Sequence, residues 1–376
     1  MKILIAGDLF VSDQFYHKDL IDKSVLNLFS HADYRIVNLE APITNDNKEH
    51  KIIKTGPHLR MSEQTAISVL KQLDIDSVTL ANNHILDYGT KGLLDTLDIL
   101  KREKISYVGA GVNLKDASKC ITLNKEGIKT AIVNFCENEW SIAEENLPGA
   151  NPMDIIDNSN QIREAKASHD KVIIIVHGGH EYYNLPSPRM QKQYRFYADQ
   201  GADLVIGHHT HCISGNEMYK GVPIYYSLGN FLFTDKSSIE DWYTGLVLVL
   251  EIKDGIISTN LFPIKNNKQN FQLTLYNGEE NDMILRRIHS FNKIIHDENK
   301  VLSEWKNYLN EKSRTYLTYW SSLAYVNNRY INAIFRRLNL NIYKKKTLSQ
   351  FLNLIRCEAH SDMSKEIIKE YIKKII

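Results

Sequence analysis

The chain has 376 residues, 43% hydrophobic and 24% charged, with eight Pro and eighteen Gly. That composition excludes disordered, collagen-like and low-complexity chains, and the length can bury the core of one large domain, alone or with an appendage, without disulfides. A net charge of +1 hides an uneven spread: from residue 281 onward 18 Lys and Arg face nine Asp and Glu, whereas 28 face 36 before it.

The first eight residues, Met-Lys-Ile-Leu-Ile-Ala-Gly-Asp, hold an apolar run of only four, too short for the core of a secretory leader, and no run of eighteen apolar residues follows. The expectation is a soluble cytoplasmic chain, peripheral to a membrane at most. Cys120, Cys136, Cys212 and Cys357 form no C-x-x-C pair, which points to a reducing compartment and away from a thiolate zinc site.

Short β-branched runs predict strands at 2–6, 35–39, 77–80, 130–134, 172–177, 204–207, 224–227 and 244–252. Helical spacing predicts helices at 62–73, 90–102, 158–167 and 188–200. Their alternation makes residues 1–270 an α/β domain, and Asp254-Gly255 predicts a hairpin that adds an antiparallel part. From about 280 the chain turns to Leu, Ile, Asn, Lys and Tyr at helical spacing, so 280–376 reads as a basic helical region. Arg336-Arg337 and Lys344-Lys345-Lys346 flank Leu338, Leu340 and Ile342 there, with Trp305 and Trp320 nearby. They suit amphipathic helices that pack on the main domain or on a second copy, or that meet an anionic polymer or membrane surface.

Five predicted strands end in metal-ligand chemistry: Gly7-Asp8, Asn38-Leu39-Glu40, Ala81-Asn82-Asn83-His84, His177-Gly178-Gly179-His180-Glu181 and Gly207-His208-His209-Thr210-His211. Singly, each is an ordinary cap, turn or surface residue. Together at successive strand ends, where open α/β sheets collect ligands, carboxylates, amides and imidazoles form a mixed O/N donor set that suits Mn, Fe or Zn better than Mg or Ca. No Gly-rich phosphate loop is present, which argues against a nucleotide-driven ligase, and no nucleic-acid partner is predicted.

In order, these motifs, with Asp87 and Gly89 beyond His84 and Tyr226-Ser227-Leu228-Gly229-Asn230-Phe231 to close, resemble the CapA or poly-gamma-glutamate synthesis family of the calcineurin-like metallophosphoesterases, over about residues 1–265. The resemblance implies a four-layer α/β/β/α sandwich with a C-terminal helical appendage and two divalent ions between the sheets. It places Asp8 and His211 on a first ion, Glu40 as the bridge, and Asn83, His177 and His209 on a second. His84 would be the general acid and Asp87 its orienting partner. It implies phosphoester hydrolysis in the synthesis of capsule, exopolysaccharide or a polyglutamate-like polymer, with a phosphorylated or polymeric anionic substrate. Members also work with membrane-associated synthesis complexes, so a non-hydrolytic, polymer-binding accessory role stands beside this, as does an amide hydrolase; assembly into a homo-oligomer through the C-terminal helices is a further expectation.

Departures from the pattern stay open at this level. The superfamily opens Asp-x-His, but Phe10 stands where the imidazole would be, so the first site is expected to be weak; His180 either replaces it or is a loop residue. His209 is chosen over His208 on spacing alone. Gly178, where the family usually has Trp, is expected to widen the pocket. Arg189 either binds a phosphate or carboxylate or is surface, and Lys54-Thr55-Gly56-Pro57 is an anion loop or a plain turn.

Overall fold

The computed structural model describes residues 1–319 and 328–339, apart from 47, 53 and 55. Two compact units divide it, Met1–Leu302 and Ser303–Ile376. The first contains helix Gly278–Ile295, which lies beyond the compositional break near 280 and buries Ile284, Ile288 and Ile295. Of the second unit, the described helix Arg329–Leu338 carries Arg336 and Arg337 in its last turn and buries no residue. Trp320, Leu340, Ile342, Lys344, Lys345 and Lys346 lie outside the described residues.

The first unit is built on two sheets. One runs Leu273–Leu275, Ile256–Asn266, Thr244–Lys253, Lys2–Phe10, Tyr34–Leu39, Ser77–Thr79 and Ser106–Val108, with Asn230–Phe233 also paired to Lys2–Phe10. The other runs Asn216–Tyr219, Val222–Tyr225, Leu204–His208, Lys171–His177, Ile128–Cys136 and Ile121–Lys125. Their near-continuous apolar strands must be covered on both faces. Ile3, Ile5 and Ile36 of the first sheet meet Ile132, Ile173, Ile175 and Ile206 of the second in one core. Outside the first sheet, Leu4, Ala6 and Val37 pack with Val25, Phe29, Leu70, Leu97 and Leu100 from three helices. On the far side of the second, Val133, Ile174 and Val176 pack with Ile162, Tyr194 and Tyr197. Two sheets back to back, each covered by helices, make the α/β/β/α layering.

Local chemistry sets the element ends. Ser62, Asp154 and Ser187 accept hydrogen bonds from the first-turn amides of helices Glu63–Gln72, Ile155–Ser168 and Pro188–Asp199, and Pro188 starts the last of these. The predicted hairpin forms with Asp254 at φ 50° and Gly255 at φ 74°, the left-handed pair of a type I′ turn. The first strand, however, runs to Phe10 rather than stopping at residue 6. Gly7 permits this, since a Cβ there would lie 1.9 Å from the Gly229 carbonyl oxygen. The ladder shifts register at Asp8/Leu9 as Asn230–Phe233 joins. Asp8 is therefore fixed inside a strand rather than carried on a loop.

Candidate metal centre

Every predicted ligand converges between the two sheets. Asp8, Glu40 and Asn83 come from the first; His177, His209 and His211 come from the second, and all are buried. Glu40, His177 and His209 each offer an atom within 4.8 Å of the others, and so do Asp8, Glu40 and His211. Glu40 thus belongs to both groups. Asn83 Oδ1 and His209 Nδ1 each lie 3.1 Å from His177 Nε2, which adds the Asn83 oxygen to the first group.

The approach to each side chain is set by its neighbours. Asn82 donates to the Leu39 carbonyl (2.9 Å) and accepts from the His84 amide (3.1 Å), a local turn that presents Asn83 and His84. Across the sheets, Asn134 accepts from the Ala81 amide (2.8 Å) and donates to the Ile175 carbonyl (3.0 Å), pinning one ligand-bearing strand end to the other. His209 and His211 take φ of 87° and 54°, a conformation uncommon outside Gly even though His adopts it more readily than most residues. Such strain persists only where the surroundings over-determine it. Here the His209 amide donates to Asp8 Oδ2 (3.2 Å), and His211 is held through Asn230.

Asn230 also settles a proton position. Its Nδ2 donates to the Trp242 carbonyl (3.0 Å), so its Oδ1 accepts from His211 Nδ1–H (2.9 Å). His211 Nε2 then keeps its lone pair, 3.6 Å from Glu40 Oε1. Both Glu40 oxygens are buried without a hydrogen-bond partner. An unpaired buried carboxylate is costly, and burial followed by the charge of Asp8 holds the Glu40 carboxyl well above its usual range. Asp8 rises to about 6, through burial partly offset by the Asn38 hydrogen bond. Burial, then the neighbouring imidazoles, holds His177 well below the usual range, and burial brings His211 to about 3. Lone pairs converging on a desolvated carboxyl whose oxygens have no hydrogen-bond partner are the arrangement a cation completes, and the residues present fit a pair of divalent ions.

His84 lines a cleft beside this centre. Its Nδ1–H donates to Asp87 Oδ2 (2.6 Å), and Asp87 also accepts from the Leu59 amide (2.7 Å) and pairs with the buried Lys54 ammonium. Burial lowers the His84 pKa, with Asp87 pulling the other way. Lys54, left open between turn and anion loop, is thus the counter-ion of Asp87.

The model of the family described as bacterial capsule synthesis protein PGA_cap matches residues 2–235. The chain belongs to that family. Among its relatives are the capsule biosynthesis protein CapA of Bacillus anthracis, 34% identical over 58% of this chain and 54% of that protein, and the PGA biosynthesis protein CapA of Bacillus subtilis (strain 168), 37% identical over 57% of each. The chain spans little more than half the length of these curated relatives. A solved structure described as a novel phosphatase of Mycoplasma pneumoniae superposes with a TM-score of 0.44 at 16% identity, covering 72% of this chain and 95% of that one. That likeness is too loose to bear on function.

The other residues singled out in this PGA_cap chain fall around the centre. Phe10 is buried against Phe233, ring centroids 5.2 Å apart, and the Phe233 and Trp242 rings both meet His211. His180 is half-buried and in neither ligand group. His208 is buried, Nδ1 3.5 Å from Asp8 Oδ1, and neither ring nitrogen has a hydrogen-bond partner; burial lowers it to about 3. Arg189 pairs with Glu137 and Gln193 and does not line the cleft. Gly178 does not widen the pocket: a Cβ there would be 2.7 Å from Glu137 Cγ and 3.0 Å from Met153 Cε, so those side chains already fill the space.

Two contributors went unseen in the sequence. Glu139 accepts from Asn83 Nδ2 (3.2 Å) and lies 3.9 Å from His209 Nε2, orienting two candidate ligands from the outside. Asn38 donates to Asp8 Oδ1 (2.7 Å). Asn38 stood inside the Asn-Leu-Glu motif and could have been noticed; nothing around Glu139 marks it.

Ligand count makes the two groups unequal. Glu40, His177, His209 and Asn83 supply four donors, whereas Asp8, Glu40 and His211 supply three, with Phe10 in the missing imidazole's place. Calorimetric titration with Mn or Zn is expected to show two unequal steps, and Phe10→His is expected to tighten the weaker one by about tenfold or more. Identical isotherms for the two proteins would show that another group already completes the weaker site.

Proposed function

We propose that this chain is a divalent-metal-dependent phosphoester hydrolase acting in capsule or poly-gamma-glutamate-like polymer synthesis. The observation that carries this reading is Glu40, buried, shared by two ligand groups and without a hydrogen-bond partner on either oxygen. Asp8 and His211 would hold one ion and Asn83, His177 and His209 the other, with Glu40 between them, and Mn, Fe or Zn suits these donors. Such ions, when bound, acidify a coordinated water and neutralise charge on phosphoryl oxygens. The chain's own contribution to the leaving group is His84. Its Nδ1–H is committed to Asp87, so only Nε2 is available to carry a proton to the departing alkoxide, and an arriving phosphate dianion favours that protonation. The role in polymer synthesis rests on the names of the Bacillus relatives. An anionic substrate and attachment to a membrane-bound complex are proposals of the same kind; among the described residues no helix is long and apolar enough to cross a membrane.

The three-donor group favours a second reading, in which the centre is kept for binding and the chain serves as an accessory protein. Metal content and turnover separate the two. The protein purified with supplemented Mn, Fe or Zn is expected to contain metal by elemental analysis. At 100 times the dissociation constant the metal is expected to add about 2.7 kcal/mol of stability, lost on adding chelator. Absence of both metal and thermal shift sinks either reading; metal without turnover on phosphomonoesters and diesters leaves the accessory one.

A further inference from the structure

Beside the ligand groups, a cleft of about 540 Å³ is lined by Asn83, His84, Asn138, Glu139, Trp140 and Glu181, with Lys54. That volume falls within the roughly 300–1,000 Å³ of small-molecule sites. Its lining has the wrong charge for a polyanion. Glu139 and Glu181 are exposed, and among the described residues no Lys or Arg pairs with either. The ammonium in the lining, Lys54, has a side chain 2% exposed and is already held by Asp87. The cleft therefore offers hydrogen-bond acceptors, the amides of Asn83 and Asn138, and the Trp140 indole, 44% exposed.

We infer that the alcohol half of the ester is a polyhydroxylated, sugar-like group without negative charges of its own. This rests on the phosphoester reading above. With the phosphoryl group at the ligand groups, the leaving alcohol extends past His84 into the cleft. There its hydroxyls donate to Glu139 and Glu181, and its C–H face lies on Trp140. In the reaction, water oxygen bonds to phosphorus, the bond from phosphorus to the sugar oxygen breaks, and the alkoxide takes the proton from His84 Nε2. The products are a neutral polyol and inorganic phosphate; the proton lost by the water restores the His84 charge. A leaving group with a carboxylate or a second phosphate would be forced against two carboxylates that no Lys or Arg among the described residues neutralises.

The test pairs phosphoesters that differ in this charge, using the Mn-loaded full chain: glycerol 3-phosphate against 3-phosphoglycerate, and glucose 6-phosphate against fructose 1,6-bisphosphate. The neutral-alcohol member is expected to have a kcat/KM about tenfold or more higher, and Glu181→Gln is expected to narrow that ratio, mainly through KM. A second readout needs no turnover: maltose is expected to quench tryptophan fluorescence in the native chain and not in Trp140→Phe. Turnover with no preference, or with a ratio that Glu181→Gln does not move, overturns the inference while the hydrolase reading stands. Maltose binding at Trp140 with no phosphoester turned over supports the cleft assignment and fails the hydrolase reading. Absence of both preference and maltose binding overturns the assignment.

Discussion

Glu40→Gln is expected to abolish metal binding at both sites while making the metal-free protein more stable. The two effects share one cause. Glu40 is the residue common to both ligand groups, and neither of its oxygens has a hydrogen-bond partner although both are buried. Above its raised pKa, taking away its charge removes an uncompensated buried carboxylate, worth about 1–3 kcal/mol if the new amide finds partners, whereas below it the carboxyl is already neutral and the gain shrinks. The carboxyl held well above its usual range by burial and by Asp8 reflects the same penalty. Loss of the shared ligand should weaken both sites by at least about 100-fold, beyond the ten- to hundredfold typical of an outer-shell change. Thermal melts of native and variant chains, each with chelator and with excess Mn, check this: the curves should cross over, the variant higher without metal and lower with it. A variant that melts lower in both conditions would mean that Glu40 is an ordinary buried structural acid.

The second large effect belongs to His84. His84→Ala is expected to lower turnover on phosphoesters by about 10²- to 10⁴-fold without changing metal content, since a general acid contributes about that much and His84 belongs to neither ligand group. The loss should shrink for p-nitrophenyl esters, whose leaving group needs little protonation. Burial lowers the His84 pKa, so the protonated form needed by the leaving group is depleted as pH rises, and turnover of poor leaving groups should fall on the alkaline side. Equal rates for variant and native chain at all pH values would remove His84 from the chemistry. Asp87→Asn should give a milder loss, because Asp87 acts by holding Nδ1–H, and it would leave Lys54 as an unpaired buried ammonium.

Much of this centre was legible because its ligands sit at strand ends inside short motifs. Runs such as Val-Ile-Ile-Ile-Val-His announce a buried strand and its last residue together, so His177 could be placed without knowing its neighbours. Gly-His-His-Thr-His was equally visible, but the choice between its first two histidines rested on spacing. In the structure, His208 ends its strand facing Asp8, while His209 turns through a positive φ toward His177. The helices capped by Ser62 and Ser187 were found nearly to the residue, the one capped by Asp154 was entered three residues late, and Lys23–Ser30, capped by Asp22, was missed. Short strands such as Ser106–Val108, Asn216–Tyr219 and Asn230–Phe233 were missed; three or four residues carry too little periodicity, and pairing with distant chain defines them. For the same reason the Lys54–Asp87 pair and the role of Glu139 were hidden. Thirty-three and 56 residues separate the partners, and a lone charged side chain in a loop gives no sign of what it will meet.

The cross-sheet origin of the ligands also bears on how the protein is made. Asp8 lies in the first strand, yet of the two donors that hold its carboxylate, Asn38 and the His209 amide, the second comes 201 residues later. Asp8 and Glu40 leave the ribosome early, and their imidazole partners follow only when most of the sandwich has been synthesised. Long-range closure of this kind comes late in folding. A nascent chain therefore presents two carboxylates without their imidazoles, a weak trap for any divalent ion, and acquires its grip only when both sheets are in place. Metal loading is tied to completion of the fold, so release of a truncated chain from the ribosome before residue 211 would yield a product that binds neither ion tightly.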